Sequence, residues 1–179
     1  MAFEDLSGAV LPPIFFIFLP FLISKLKGNR LSQTISELRL SPLPSINVVL
    51  RDALWLTVAL LLATVAVHQV FSLIQLHDAE KVAGIVRAEP PASQALGVVL
   101  SPPAEEIFFR GYLQAGIGLW PSSIVFAVLH SFYGSLEEVA GALAFALVLG
   151  SYFKRSKSLW PCMIAHVAFN ALSMLKILA

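Results

Sequence analysis

Long apolar stretches recur along this sequence, at residues 8–24, 53–76, 95–117, 120–138, 139–153 and 159–178. Most have the ~17 to 25 residues that carry a helix across a ~30 Å hydrocarbon core. A chain so patterned has to fold with lipid as its solvent, and its fold class reads as all-α: a polytopic transmembrane helical bundle of about six spans. Composition agrees, with 58% hydrophobic and only 13% charged residues, against about 25% charged in ordinary soluble domains. No segment is polar enough to suggest a separate soluble unit, so residues 1–179 read as one integral membrane domain of a multi-pass plasma-membrane protein.

The charges that remain order the spans. Lys25, Lys27, Arg30, Arg39 and Arg51 lie between the first two spans, and Lys154, Arg155 and Lys157 between the last two. Basic residues mark cytoplasmic loops, and six alternating spans starting outside put both clusters on one side. Glu4 and Asp5 precede the first span in place of a basic stretch, so it reads as a retained span and not a removable signal. The 77–94 connection, ending in "EPPAS", falls outside as a weakly charged loop. A net charge of +1 and the lack of basic runs give no nucleic-acid partner. The lone Cys162 excludes an internal disulfide and reads as a small apolar helix residue.

Two segments echo each other. "LWPSSIVFAVLH" at 119–130 and "LWPCMIAHVAFN" at 159–170 share Leu, Trp, Pro and the Ile three positions after the Pro. Tryptophan suits a membrane interface and proline the first helical turn, so both helices are expected to start at one interface and run parallel. At 1.5 Å per residue, His130 and Asn170 then sit about 13 Å deep and His166 about 8 Å. The 95–117 span runs the other way and brings Glu105 to about 16 Å. A carboxylate, two imidazoles and a carboxamide from three helices are expected at one level, a polar active site among the last four spans.

Ionisable groups at that depth cost at least ~2.5 to 3.5 kcal/mol each, so they face protein or a watery cavity. In "SPPAEEIFFRG", 101–111, Glu106 and Arg110 are four residues apart with the acid first, the spacing that lets them neutralise each other. Glu105 is turned about 100° away and has no local partner. Pro102 and Pro103 are expected to break or kink the helix, with Ser101 positioned to cap its restart and both glutamates near the positive end. His166 and Asn170 share a face four residues apart, and both can donate hydrogen bonds. Together these groups suit peptide hydrolysis: a base for water, and donors aimed at the oxygen that gains charge. No serine or cysteine has an evident base beside it, which argues against a covalent route.

"EEIFFRG", "FAVLH" and "HVAFN" resemble, in the same order, the three motifs of the CAAX prenyl protease and bacteriocin-processing family: Glu-Glu-x-x-x-Arg, Phe-x-x-x-His and His-x-x-x-Asn. The likeness covers residues 95–175. It implies a metal-independent glutamate intramembrane protease without cofactor, in which Glu105 is the base and His130 shares the water. His166 and Asn170 would form the oxyanion hole, supported by Glu106 and Arg110. The implied partners are the lipid bilayer and a membrane-associated protein or lipidated peptide substrate: a prenylated C-terminus, a bacteriocin precursor or a sorted membrane tail. Family members that process prenylated proteins tend to have more spans than this chain.

Two other readings compete. A zinc hydrolase would use Glu105, His130 and His166 as ligands around an open position, leaving Asn170 without a part. A non-enzymatic immunity or scaffold protein would use the polar residues as interhelical glue. The remaining features read as structural. Trp55, Trp120 and Trp160 anchor interfaces or pack, Glu137 and Glu138 mark an outer helix end, and Gly141 and Ala144 permit close helix contact. Gly116 and Gly118 loosen a turn, and His68 and His77 have no assigned role.

Overall fold

A computed structural model describes residues 7–42 and 44–179. Glu4 and Asp5, which carry the expectation of a retained first span, lie outside the described residues. Every regular element among the described residues is helical: α1 (Ser7–Leu26), α2 (Leu31–Glu37), α3 (Ile46–Leu73), α4 (Glu80–Ala88), α5 (Pro91–Glu105), a π-helical segment (Glu106–Gln114), α6 (Ala115–Ile117), α7 (Leu119–Leu129), a 3-10 turn (His130–Tyr133), α8 (Leu136–Ser156) and α9 (Trp160–Leu178).

Among the described residues, Gly8–Leu26, Ile46–Leu73, Leu136–Ser156 and Trp160–Leu178 are the four helices long and apolar enough to cross a membrane. The other two expected spans differ for separate reasons. Residues 91–117 form one continuous helical rod, but Glu105, Glu106 and Arg110 interrupt its apolar character. Residues 119–133 form a shorter apolar helix. It rises about 22 Å at 1.5 Å per residue, less than a ~30 Å core. The boundary expected at 138/139 falls at Gly134–Ser135, where Gly134 takes φ +67° and the Ser135 hydroxyl accepts from the Glu138 N–H at 3.0 Å. Glu137 and Glu138 therefore open α8 instead of closing α7, an acidic first turn that suits the positive helix end.

Contacts between chain-distant residues define two ends of the bundle. At one, Trp160 Nε1 donates to the Leu40 carbonyl at 3.2 Å and the Tyr152 hydroxyl to Asp52 at 2.8 Å, so both basic clusters lie at this end. At the other, the Asp78 carboxylate accepts from Ser135 Oγ at 2.8 Å and from the backbone N–H groups of Leu136 at 2.7 Å and Glu137 at 3.2 Å. Lys81 reaches the Gly134 carbonyl at 2.9 Å and Arg87 that of Ile177 at 3.0 Å. The 77–94 connection is thus stapled over that end and contains a short helix, α4.

The rod from α5 through the π segment is the hub. α1 packs along it with Phe16 against Phe108 and Phe109, α9 packs on α5 and α3, and α8 bridges α3 to α7. Leu60, Leu149, Leu159, Cys162 and Phe126 fill the core. Close approach occurs at two glycines the pattern did not single out. A Cβ on Gly150 would stand 2.5 Å from Leu119 Cδ1, and one on Gly111 3.1 Å from both Leu159 Cδ1 and the Leu38 carbonyl. Gly141, expected to do this, has nothing within 4 Å and faces open space.

Candidate active site

Pro102 and Pro103 have no N–H to give, and their rings crowd the preceding turn. The helix nevertheless continues through them, with α1 and α9 covering its loosened backbone. Directly after Glu105 it widens to π geometry, a form that often marks functional sites. The expected restart is therefore corrected: Ser101 lies inside α5 and caps nothing, and both glutamates sit in mid-rod, away from any positive helix end.

Glu106 and Arg110 form the expected pair, Nη1 to Oε1 at 3.1 Å, with side chains 0% and 2% exposed. His166 of α9 approaches the same oxygen through Nδ1 at 2.9 Å. A carboxylate paired to arginine accepts, so Nδ1 carries the hydrogen and the histidine's orientation is set. Its other nitrogen, Nε2, is turned to Glu105 Oε2 at 3.9 Å. That is beyond a direct hydrogen bond. Adjacent glutamates thus meet opposite sides of one imidazole, Glu106 buried and Glu105 with 18% of its side chain exposed.

Aromatic rings confine the charges. The Arg110 guanidinium lies 4.8 Å from the Phe126 centroid and 6.0 Å from that of Phe145, which suits a cation on a ring face. Phe145 meets His166 edge to face at 4.5 Å, and Phe126 lies 4.4 Å from His130. His130 opens the 3-10 turn and donates from Nδ1 to the Phe126 carbonyl at 2.8 Å, which leaves its Nε2 without a protein partner among the described residues. Asn170 is half-buried one turn beyond His166 and makes no protein hydrogen bond among the described residues.

Glu105, Glu106, Arg110 and His166 are therefore in one cluster, and His130 joins it through the Phe126 ring. α7 and α9 both start with Trp-Pro at the basic end, but the echo stops at its last position: His130 lies in the 3-10 turn and Asn170 in mid-helix. Among the described residues no three His, Cys, Asp or Glu side chains gather closely enough to hold a metal ion, so the alternative ligand set Glu105, His130 and His166 is not assembled. Sequence reasoning missed three residues. Phe145 walls both His166 and Arg110, and no spacing marks it. His68, given no role, meets Glu137 at 2.7 Å across α3 and α8. Asp78 was read only as part of a loop, and no local spacing marks it, because the helix start it caps is that of α8, in another segment.

A family model described as type II CAAX prenyl endopeptidase Rce1-like matches residues 88–172, which include all six residues of the expected site. The protein YpbD of Bacillus subtilis (strain 168), described as uncharacterized, is 41% identical over 71 residues, 38% of this chain and 36% of that protein. The match thus spans little more than a third of that relative's length. No solved structure matches the chain significantly.

Proposed function

We propose that this chain, whose residues 88–172 belong to the Rce1-like type II CAAX prenyl endopeptidase family, is a glutamate-type intramembrane endopeptidase. It is a multi-pass protein of the plasma membrane that hydrolyses a peptide bond in a membrane-associated substrate. Six crossings are counted in this reading, with the 91–117 rod and the short 119–133 helix completing the four long ones around the site.

The observation that carries the proposal is the pair of unlike glutamates on one histidine, Glu106 at 2.9 Å and Glu105 at 3.9 Å. Glu106 is neutralised by Arg110 and serves as the structural acid. Glu105 is left to take a proton from a water molecule, which His130 Nε2 helps to hold as acceptor. The resulting hydroxide adds to the scissile carbonyl carbon. Charge then collects on the carbonyl oxygen, where the Asn170 amide donates. His166, its ring held in place by Glu106, is the second group of the oxyanion hole. Collapse of the tetrahedral species breaks the C–N bond, and Glu105 returns its proton to the leaving amine.

The test compares membrane proteomes of cells making the native chain with cells making Glu105→Gln at equal abundance, reading protein termini. One or more substrates should keep an untrimmed terminus in the variant. Identical termini in both would leave the polar residues as interhelical glue and the chain as a binding protein. Purified native chain, offered prenylated CAAX peptides, bacteriocin-type precursors and membrane tails, should cleave one class and keep its activity after chelator treatment.

A further inference from the structure

The antiparallel helices α3 and α8 meet tightly at mid-bundle, but towards the basic end their seam opens into a groove of about 590 Å³ on the surface turned away from the catalytic cluster. Its inner part is apolar, lined by Leu56, Ala59, Leu147 and Val148. Its mouth is polar, with Tyr152, Asp52 and Arg155. Trp55 stands on the rim, 68% exposed, as a tryptophan at a headgroup level does.

The charges at the mouth are unequally satisfied. Asp52 is already answered on both oxygens, by the Tyr152 hydroxyl at 2.8 Å on Oδ2 and by Arg51 at 2.8 Å on Oδ1. Arg155 is exposed and has neither an ion pair nor a hydrogen bond among the described residues. Arg155 is therefore the unanswered cation at the mouth. Anion-attracting charge at the end and hydrocarbon deeper in are complementary to an occupant with an anionic head and an apolar chain.

We infer that this groove is a binding site for an anionic glycerophospholipid, its phosphate on Arg155 beside Tyr152 and an acyl chain along Leu56, Ala59, Leu147 and Val148. A water-soluble anion would leave the apolar floor bare, and an apolar helix would leave Arg155 without a counter-charge. The site differs from the catalytic one in position and in residues. Leu147 and Val148 line it, whereas Phe145 and Leu149 of the same helix point into the core. The bound lipid would brace the α3–α8 seam.

Native mass spectrometry of the delipidated full chain, offered phosphatidylglycerol or phosphatidylcholine with matched chains, tests this. The chain should retain phosphatidylglycerol about fivefold better, the value that about 1 kcal/mol per basic residue near the surface implies. Arg155→Gln should erase the preference. Ala59→Phe should reduce adducts of both lipids, and Lys157→Gln, an exposed cation at the same end, should change neither. Equal retention of the two lipids, or equal loss in Lys157→Gln and Arg155→Gln, would overturn the site in favour of diffuse attraction. Dimer peaks that vanish in Ala59→Phe, without lipid adducts, would assign the groove to a second copy.

Discussion

Glu106 is fully buried, and Arg110 and His166 share one of its oxygens. Removing one partner of such a pair strands the other and costs about 3 to 5 kcal/mol, whereas replacing both with apolar groups is close to neutral. Glu106→Gln should therefore lower the thermal unfolding midpoint in detergent, and Glu106→Leu with Arg110→Met should recover part of that loss, the His166 N–H still lacking its acceptor, without recovering activity. Asn170 is half-buried and bonds to no other described residue, so Asn170→Ala should leave the midpoint unchanged. If it stabilises the oxyanion, kcat should fall by about 10² to 10³. The Glu106–Arg110 pair was legible at this scale because helical spacing brings positions four apart together. Phe145 was not, because only packing decides which of many phenylalanines lies against a histidine.

Turns and close approaches set the elements. Gly150→Ala would push a methyl group to 2.5 Å from Leu119 and 2.7 Å from the Gln114 amide, which also donates to the Gly150 carbonyl at 2.8 Å. Overpacking of this kind costs about 1 to 3 kcal/mol, so thermal unfolding should show Gly150→Ala destabilised and Gly141→Ala, in open space, unharmed. The start of α8 depends on Asp78 from another segment. Burial pushes the Asp78 carboxyl up, but the N–H of Leu136, the Ser135 hydroxyl, the N–H of Glu137 and the Lys81 charge together hold it below the usual carboxylate range. A depressed native value means the stabilisation is present above the unfolded value of about 3.9 and is lost as pH falls through the lower native one. Unfolding midpoints scanned from pH 6 to 3 should decline more steeply in the native chain than in Asp78→Asn. Proline positions had suggested a broken helix at 102–103. The helix persists because neighbouring helices cover the backbone that the prolines leave unpaired.

Across the whole molecule, the two basic clusters share one end and the Asp78 staple marks the other. Positive loops stay on the cytoplasmic side. Single cysteines replacing Lys27 and Lys157 should both react with an impermeant thiol reagent from the cytoplasmic face, and one replacing His77 from the opposite face. Cys162 is fully buried and should stay silent in each experiment. Labelling of Lys27→Cys and Lys157→Cys from opposite faces would refute the even number of crossings between them.

The sequence by itself determined the helical class, the common end of the basic loops, the order of the three motifs and the pairing of Glu106 with Arg110. Each of these follows from hydropathy, charge placement or a fixed helical period, which are local properties of the chain. Only the tertiary structure decided that the 119–133 helix falls short, that the proline rod widens instead of breaking, and that His166 stands between the two glutamates. Those outcomes depend on which helices cover an unpaired backbone and on which rings fill the space around a buried charge, and neither is written in the spacing of residues along one segment.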